Sequence, residues 1–236
     1  PFGIPIINED GNLGDEKGNV VYSLEQAAMI PYTWTGTGFL MDDGKFVTAR
    51  HCVMDWRFDN EFIAQRMVPE NQLEAVIYAC SRDGSVIKFS SKECVMDLSD
   101  DRVVGTLENG QNVIGASLGE TDWAYYQTNR KGERKATTKE SIVKMKAGEP
   151  LYVMGYPAGL GADSPSQINP IYASASMGRD GLESNGTLLI SGGVQGGNSG
   201  GPVMAHINGE TRVVGIVSTM HRGGNYGHAV PISKIR

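Results

Sequence analysis

Long hydrophobic runs are missing from this chain. The longest spans residues 75–80, six in all, where a membrane-spanning helix needs about 20. No membrane partner is expected. An excess of positive charge is missing too: 21 Lys and Arg against 27 Asp and Glu leave a net charge of −6. Broad phosphate neutralisation needs a basic surface, and so does docking on an anionic bilayer. No nucleic acid is therefore expected as a partner. Cysteine is scarce. Three residues cannot build a disulfide framework, and the odd number leaves at least one thiol free or paired outside the chain. Cys80 and Cys94 either bridge or stay as two free thiols. No Cys-x-x-Cys or His-x-x-x-His spacing suggests a metal, and no cofactor is expected. The chain starts at Pro1 with no cleavable signal peptide, which reads as a processed or trimmed product.

What is present suits a β protein. The 236 residues are 40% hydrophobic and 20% charged, enough for one large domain or two packed halves. Gly (31) and Pro (10) are spread along the whole length, as expected for many short strands joined by tight turns. Residues 1–20 show no clear period and read as an irregular arm. Ser23 to Gln26 has capping-box spacing, so a short helix is expected to about Met29, ended by Pro31. Strand patterns then follow at 37–41, 45–48, 75–79, 85–89, 103–107, 113–118 and 123–127. They continue at 150–155, 171–176, 187–191, 202–206, 212–218 and 227–232. The Asp43-Gly44 pair between the first two marks a hairpin. Their spacing suggests an all-β barrel or sandwich. The charged stretch 128–147 reads as a solvated linker. Ser233 is a candidate cap for a short C-terminal helix.

Three stretches carry chemistry. Thr48-Ala49-Arg50-His51-Cys52 ends a strand. Thr121-Asp122-Trp123-Ala124 leads an acid into a strand. Gly196-Gly197-Asn198-Ser199-Gly200-Gly201-Pro202 sets a serine among four glycines. Each alone has a plain structural explanation. The third is the hardest to dismiss, because four glycines cost folding entropy that an ordinary turn does not need. Together they supply the parts of a nucleophilic site. A serine hydroxyl needs a base, histidine titrates near neutrality, and a buried acid orients the imidazole. Backbone N–H groups in a tight Gly turn can hold an oxyanion.

The order His…Asp…Ser, with the Thr-Ala-x-His-Cys and Gly-Asn-Ser-Gly-Gly-Pro stretches, resembles the chymotrypsin-like serine proteases. Val153 to Pro157, Val214 to Ser218 and Gly227 to Ile232 resemble strands of the bacterial branch, the glutamyl endopeptidases and HtrA-type proteases. The resemblance runs from about Gly36 to Ile232 and is poor between Arg57 and Glu120. It implies two six-stranded antiparallel Greek-key barrels with the active-site cleft between them. The first would span 35–130 and the second 148–236, with an arm at 1–34 and a linker at 131–147. It implies a serine endopeptidase working through an acyl-enzyme. His51 would be general base and acid, Asp122 its orienting partner and Ser199 the nucleophile. The N–H groups of Gly197 and Ser199 would form the oxyanion hole. Ser218 matches a serine near the buried acid that begins the substrate-pairing strand. A polypeptide would then add as an extended strand beside Ser218, Thr219 and Met220. An exported location, secreted or periplasmic, follows from the same resemblance.

The departures are informative. Asn198 stands where zymogen-activated animal enzymes carry Asp, and the chain begins Pro1-Phe2-Gly3. That ion-pair activation is not expected. Cys52 lacks its usual disulfide partner near Thr35 or Gly36 and reads as a buried free thiol. Gly193 matches the pocket floor, so no fixed carboxylate selects Arg or Lys. Val217 replaces the pocket histidine of the glutamyl enzymes. With Val194, Thr219 and Met220 it suggests an apolar pocket, and cleavage after an uncharged residue. His221 and His228 lie close but read as structural or surface side chains. The competing readings are a latent protease that needs a partner or processing, and a non-catalytic binding module on the same fold.

Overall fold

The computed structural model describes residues 34–58, 73–107, 110–157, 169–221 and 225–235 with their side chains, and the backbone of 6–7, 13–14, 20–22, 162–164 and 167–168. The helix expected after Ser23 lies outside the described residues. Three short strands, β1 (Ile6–Ile7), β2 (Leu13–Gly14) and β3 (Val20–Tyr22), make a small antiparallel sheet within the span read as an arm.

The next strands are β4 (Gly38–Leu40), β5 (Lys45–Thr48), β6 (Val76–Cys80), β7 (Val86–Ser90), β8 (Val95–Met96), β9 (Arg102–Thr106), β10 (Asn112–Gly115) and β11 (Ala124–Gln127). β4 and β5 form the expected hairpin. Its Asp43-Gly44 turn puts Gly44 at φ +87°, in the region that favours glycine. β11 pairs with β5 on one side and β8 on the other, giving the sheet order β4-β5-β11-β8.

This sheet is open, and the expectation of a first closed barrel is overturned. Among the described residues, β6 and β7 pair only with each other, as do β9 and β10. The packing explains why. β4 and β8 have three and two residues, short lengths for a closing ladder. All five residues of β9 are exposed, so that strand has no inner face to bury. The apolar side chains gather in two small clusters, one around Trp56, Ala75 and Val113 and another around Val53, Phe89 and Ala124. Barrel closure wraps a sheet around one continuous interior, and the described residues of this half form none.

The second half does close. After a short helix, α1 (Lys139–Lys144), come β12 (Pro150–Gly155), β13 (Ala162–Ser164), β14 (Gln167–Ile168), β15 (Ile171–Met177), β16 (Leu188–Ser191), β17 (Pro202–Ile207), β18 (Glu210–Met220) and β19 (Tyr226–Pro231). α1 sits inside the stretch read as a linker. Thr138 caps it by accepting the Ser141 N–H at 3.2 Å, and Ile142 is fully buried beneath it. Six strands form a closed barrel in the order β12-β15-β16-β19-β18-β17, with β17 pairing back to β12. Leu151, Val153, Leu188, Ile190, Val203 and Ile216 have no exposed surface, and each fully buried aliphatic side chain contributes roughly 1.5–3 kcal/mol. The open sheet adds Phe39 and Val47 to this same core, and the residues flanking its strands add Met41 and Trp123. The chain ends in a 3-10 turn, Ile232–Lys234, that has no side-chain cap. Ser233 lies within this turn and does not cap a helix.

Replacing Leu188 with Ala should cost about 2–5 kcal/mol through lost burial and a residual cavity. Denaturant unfolding should show a lower midpoint with an unchanged slope. A loss below about 1 kcal/mol would contradict the barrel as the main core.

Candidate active site

The pairing of β5 with β11 decides where the first two groups meet. Thr48 lies opposite Ala124. His51 follows Thr48 by three positions on a 3-10 turn, Arg50–Cys52, and Asp122 precedes Ala124 by two. The two residues, 71 apart in sequence, are thereby brought together. The His51 N–H donates to Asp122 Oδ1 at 2.9 Å, and His51 Nδ1 lies 2.8 Å from Asp122 Oδ2. The carboxylate is fully buried. A third partner comes from the barrel, where Ser218 Oγ donates to Asp122 Oδ2 at 2.5 Å. Ser218 is itself buried.

These contacts set the electrostatics. Burial alone would raise the Asp122 pKa, but His51 and the hydrogen bonds from His51 and Ser218 hold it below the usual carboxylate range. Burial alone would lower the His51 pKa. The adjacent Cys52 and the Asp122 charge and hydrogen bond outweigh that and raise it above the ordinary imidazole value. The Asp122 contact at Nδ1 leaves Nε2 as the nitrogen available for proton transfer.

The serine loop reaches this pair from the barrel side. Ser199 is half-buried. Its carbonyl accepts the Thr37 N–H at 2.8 Å and the Cys52 thiol at 3.5 Å, which sets it against the turn that carries His51. Gly36 leaves room for this, since a Cβ there would come 2.7 Å from Cys52 Sγ. Cys52 is a partly buried free thiol, and Cys80 and Cys94 are free as well. Thr37 is a clamp that the sequence motifs did not single out. Its hydroxyl donates to the Gly197 carbonyl at 2.7 Å, and its own carbonyl accepts Thr48 Oγ1 at 2.7 Å. Only an unremarkable strand start marks it in the sequence.

The glycines have specific tasks. Gly197 sits at φ +96° and Gly200 at φ +82°. A Cβ on Gly200 would stand 2.2 Å from the Thr37 carbonyl, so only glycine fits there. Asn198 is buried, and its amide donates to the Gly193 carbonyl at 3.1 Å. Asn198 N–H bonds to Gln195, Gly200 N–H to Val217 and Gly201 N–H to Asn198. Among the described residues, the Gly197 and Ser199 N–H groups have no internal acceptor.

The remaining pocket candidates divide. Gly193 has φ +70° and lies under the Asn198 amide. Val194 packs over Gly227, where a Cβ would come 3.0 Å from it. Val217 is buried in the barrel core. Thr219 Oγ1 lies 3.3 Å from His228 Nδ1, and Met220 is exposed. His221 and His228 stack edge-on at 5.0 Å. Burial and His221 together depress the His228 pKa. No cluster of three or more His, Cys, Asp or Glu among the described residues could hold a metal ion, and none of the described helices is long and apolar enough to cross a membrane.

Comparison with known proteins places this geometry. A solved structure shares the fold. A serine endoprotease from Yersinia pestis superposes with a TM-score of 0.51 at 16% identity, over 92% of this chain and 65% of that one. The HtrA-type protease AlgW with a decapeptide gives 0.48 at 16% identity, over 85% and 49%. A variant of AlgW with a tripeptide gives 0.48 at 17%, over 84% and 52%. The chain thus spans between about half and two thirds of the length of these structures. No curated protein sequence matches it. The model of the trypsin-like peptidase domain matches residues 36–216, a stretch that contains His51, Asp122 and Ser199. With His51 and Ser218 both hydrogen-bonded to Asp122 beside the Ser199 loop, the chain belongs to the trypsin-like peptidase domain family.

Proposed function

We propose that this domain is an endopeptidase in which Ser199 is the nucleophile, His51 the base and then the acid, and Asp122 the group that orients and stabilises the imidazolium. The observation that carries it is the buried Asp122 bonded to both the backbone and Nδ1 of His51, with the Ser199 loop packed on the same turn. Ser218 is a poor nucleophile by comparison, because its hydroxyl proton is committed to Asp122. In the first step Ser199 Oγ attacks the peptide carbonyl carbon as its proton passes to His51 Nε2. The tetrahedral oxyanion takes the free N–H groups of Gly197 and Ser199. His51 then protonates the leaving amine, and water attacks the acyl-enzyme with His51 again as base.

Substrate binding as an added strand has support in the sheet. β17 stops at Pro202, opposite Ile216. Beyond that point, among the described residues, Thr219 and Met220 pair only with β19. An extended polypeptide can take the vacant edge next to Ser218, Thr219 and Met220. Gly193 at the floor, Val194 at the wall and the neutral, half-buried His228 offer no fixed charge to a side chain. Cleavage after an uncharged residue follows. An exported location, secreted or periplasmic, belongs to the same proposal and rests on the family likeness.

A fluorophosphonate probe should label the wild type, should not label Ser199→Ala, and should still label Ser218→Ala, if more slowly. Labelling of Ser199→Ala would remove Ser199 from its role. A peptide library should show cleavage after uncharged residues, and products ending only in Glu, or only in Arg and Lys, would contradict the pocket assignment. The pH profile carries a sign. Because its partners raise the His51 pKa, the base is deprotonated only above an elevated value. The acid limb of kcat/KM should therefore lie above 6.5, the ordinary imidazole value, and a limb below it would contradict the pairing. Asp122→Asn should lower kcat on the order of 10⁴-fold in a protein that still folds.

A further inference from the structure

A charged cluster next to His51 is not needed for any of the steps above. Arg50, the residue before the base, has no exposed side-chain surface. Its Nη1 donates to the Asp97 carbonyl at 2.8 Å and to Asp100 Oδ1 at 2.9 Å, and its Nη2 donates to Asp101 Oδ1. The other oxygen of Asp101 accepts Arg57 Nη1 at 2.6 Å. The other oxygen of Asp100 accepts the Ser117 N–H at 2.8 Å. Two guanidiniums and two carboxylates thus close a cluster that ties the Arg50–Cys52 turn to the Asp55–Arg57 turn, the 97–101 loop and the segment after β10.

Packing alone does not explain an arginine here. A buried ion pair is commonly no more stabilising than apolar side chains of the same volume. The planar fork supplies direction instead, since it fixes the orientation of everything bonded to it. Phe58 shows where that direction leads. The Arg50 guanidinium lies 5.6 Å from the centre of its ring. The His51 imidazole meets the same ring edge-on at 5.9 Å and 73°. Phe58 therefore touches both the clamped cation and the base.

We propose that Arg50 is a positioning residue for His51: locked by Asp100 and Asp101, it holds Phe58 against the imidazole and fixes the turn from which His51 reaches Asp122. The proposal rests on His51 acting as the base for Ser199. Misplacing a catalytic group by about 1 Å can lower the rate on the order of 100-fold. The effect belongs in kcat, because Arg50 is buried and does not touch substrate.

The charge around His51 gives a second signature. Asp122 faces it from the loop before β11, with Ser218 of β18 behind that carboxylate. Cys52 adjoins it on its own turn. On the Phe58 side stand Arg50 and, behind it, Asp100, Asp101 and Arg57. Removing the Arg50 charge leaves Arg57 as the cation paired with this aspartate cluster among the described residues. The surroundings become more negative, the imidazolium is favoured, and the acid limb moves to higher pH.

The test compares Arg50→Lys and Arg50→Met with the wild type, with rates normalised to the fraction labelled by the fluorophosphonate probe. Arg50→Lys keeps the charge and loses the fork. It should lower kcat about 10-fold, with KM and the acid limb unchanged. Arg50→Met should lower kcat about 100-fold and shift the limb alkaline. If Arg50→Met does not fold, Arg50→Lys decides alone. Wild-type kcat per labelled site in Arg50→Lys would reduce Arg50 to a structural residue and overturn the proposal. Failure of the wild type to label would instead count against Ser199 as the nucleophile. Histidine ¹⁵N NMR then decides on the same variants without catalysis. Altered His51 ring shifts in Arg50→Lys support the positioning role, and unchanged shifts contradict it.

Discussion

A carboxylate with no exposed surface is stable as an anion only if the fold supplies its partners. Asp122 meets that demand with three donors, two from His51 and one from Ser218. The donors come from different parts of the molecule. His51 belongs to the turn after β5, and Ser218 belongs to β18 of the closed barrel. The same bonds that keep Asp122 ionised therefore join the open sheet to the barrel. They also fix which imidazole nitrogen faces the acid and which is left for chemistry.

The serine loop depends on this junction from the other side. It grows from the barrel, between β16 and β17, yet Thr37 of the open-sheet half holds two of its carbonyls. Thr48 in turn holds Thr37. The left-handed Gly197 and Gly200 let the loop turn tightly enough for two N–H groups to point away from internal acceptors. The site is assembled at the contact between an open sheet and a barrel, and neither part contains it alone. Order on the sheet side comes from charge and hydrogen bonds as much as from apolar burial. Its hydrophobic clusters are small, and the Arg50 cluster is the element that spans its loops.

Much of this was legible in the sequence because the signals are local. The six barrel strands of the second half appear within two residues of where the pattern puts them, because apolar runs bounded by turn residues mark them, whereas β13 and β14 carry no such run and no strand is expected there. The Asp43-Gly44 hairpin follows from turn chemistry. The glycine-rich serine stretch and the His-Cys stretch stand out because their composition is costly without a purpose. Closure of the first half was not legible. Whether strands join into a barrel depends on long-range pairing, and the alternation in β6 and β7 is compatible with a free hairpin. Arg50, Thr37 and Phe58 were not legible as site residues either. Their roles come from partners distant in sequence, such as Asp100 and Asp101 for Arg50 and Gly197 for Thr37, and no local pattern announces such contacts.

The central claim is that Asp122 holds the His51 imidazole in one tautomer, proton on Nδ1, with Nε2 free. Histidine-selective ¹⁵N NMR of the unligated protein, above the His51 pKa, reads this directly. The account predicts a protonated Nδ1 and an unprotonated Nε2 for His51, with the pattern lost in Asp122→Asn. A His51 carrying its proton on Nε2 in the wild type, or one indifferent to Asp122→Asn, would contradict it.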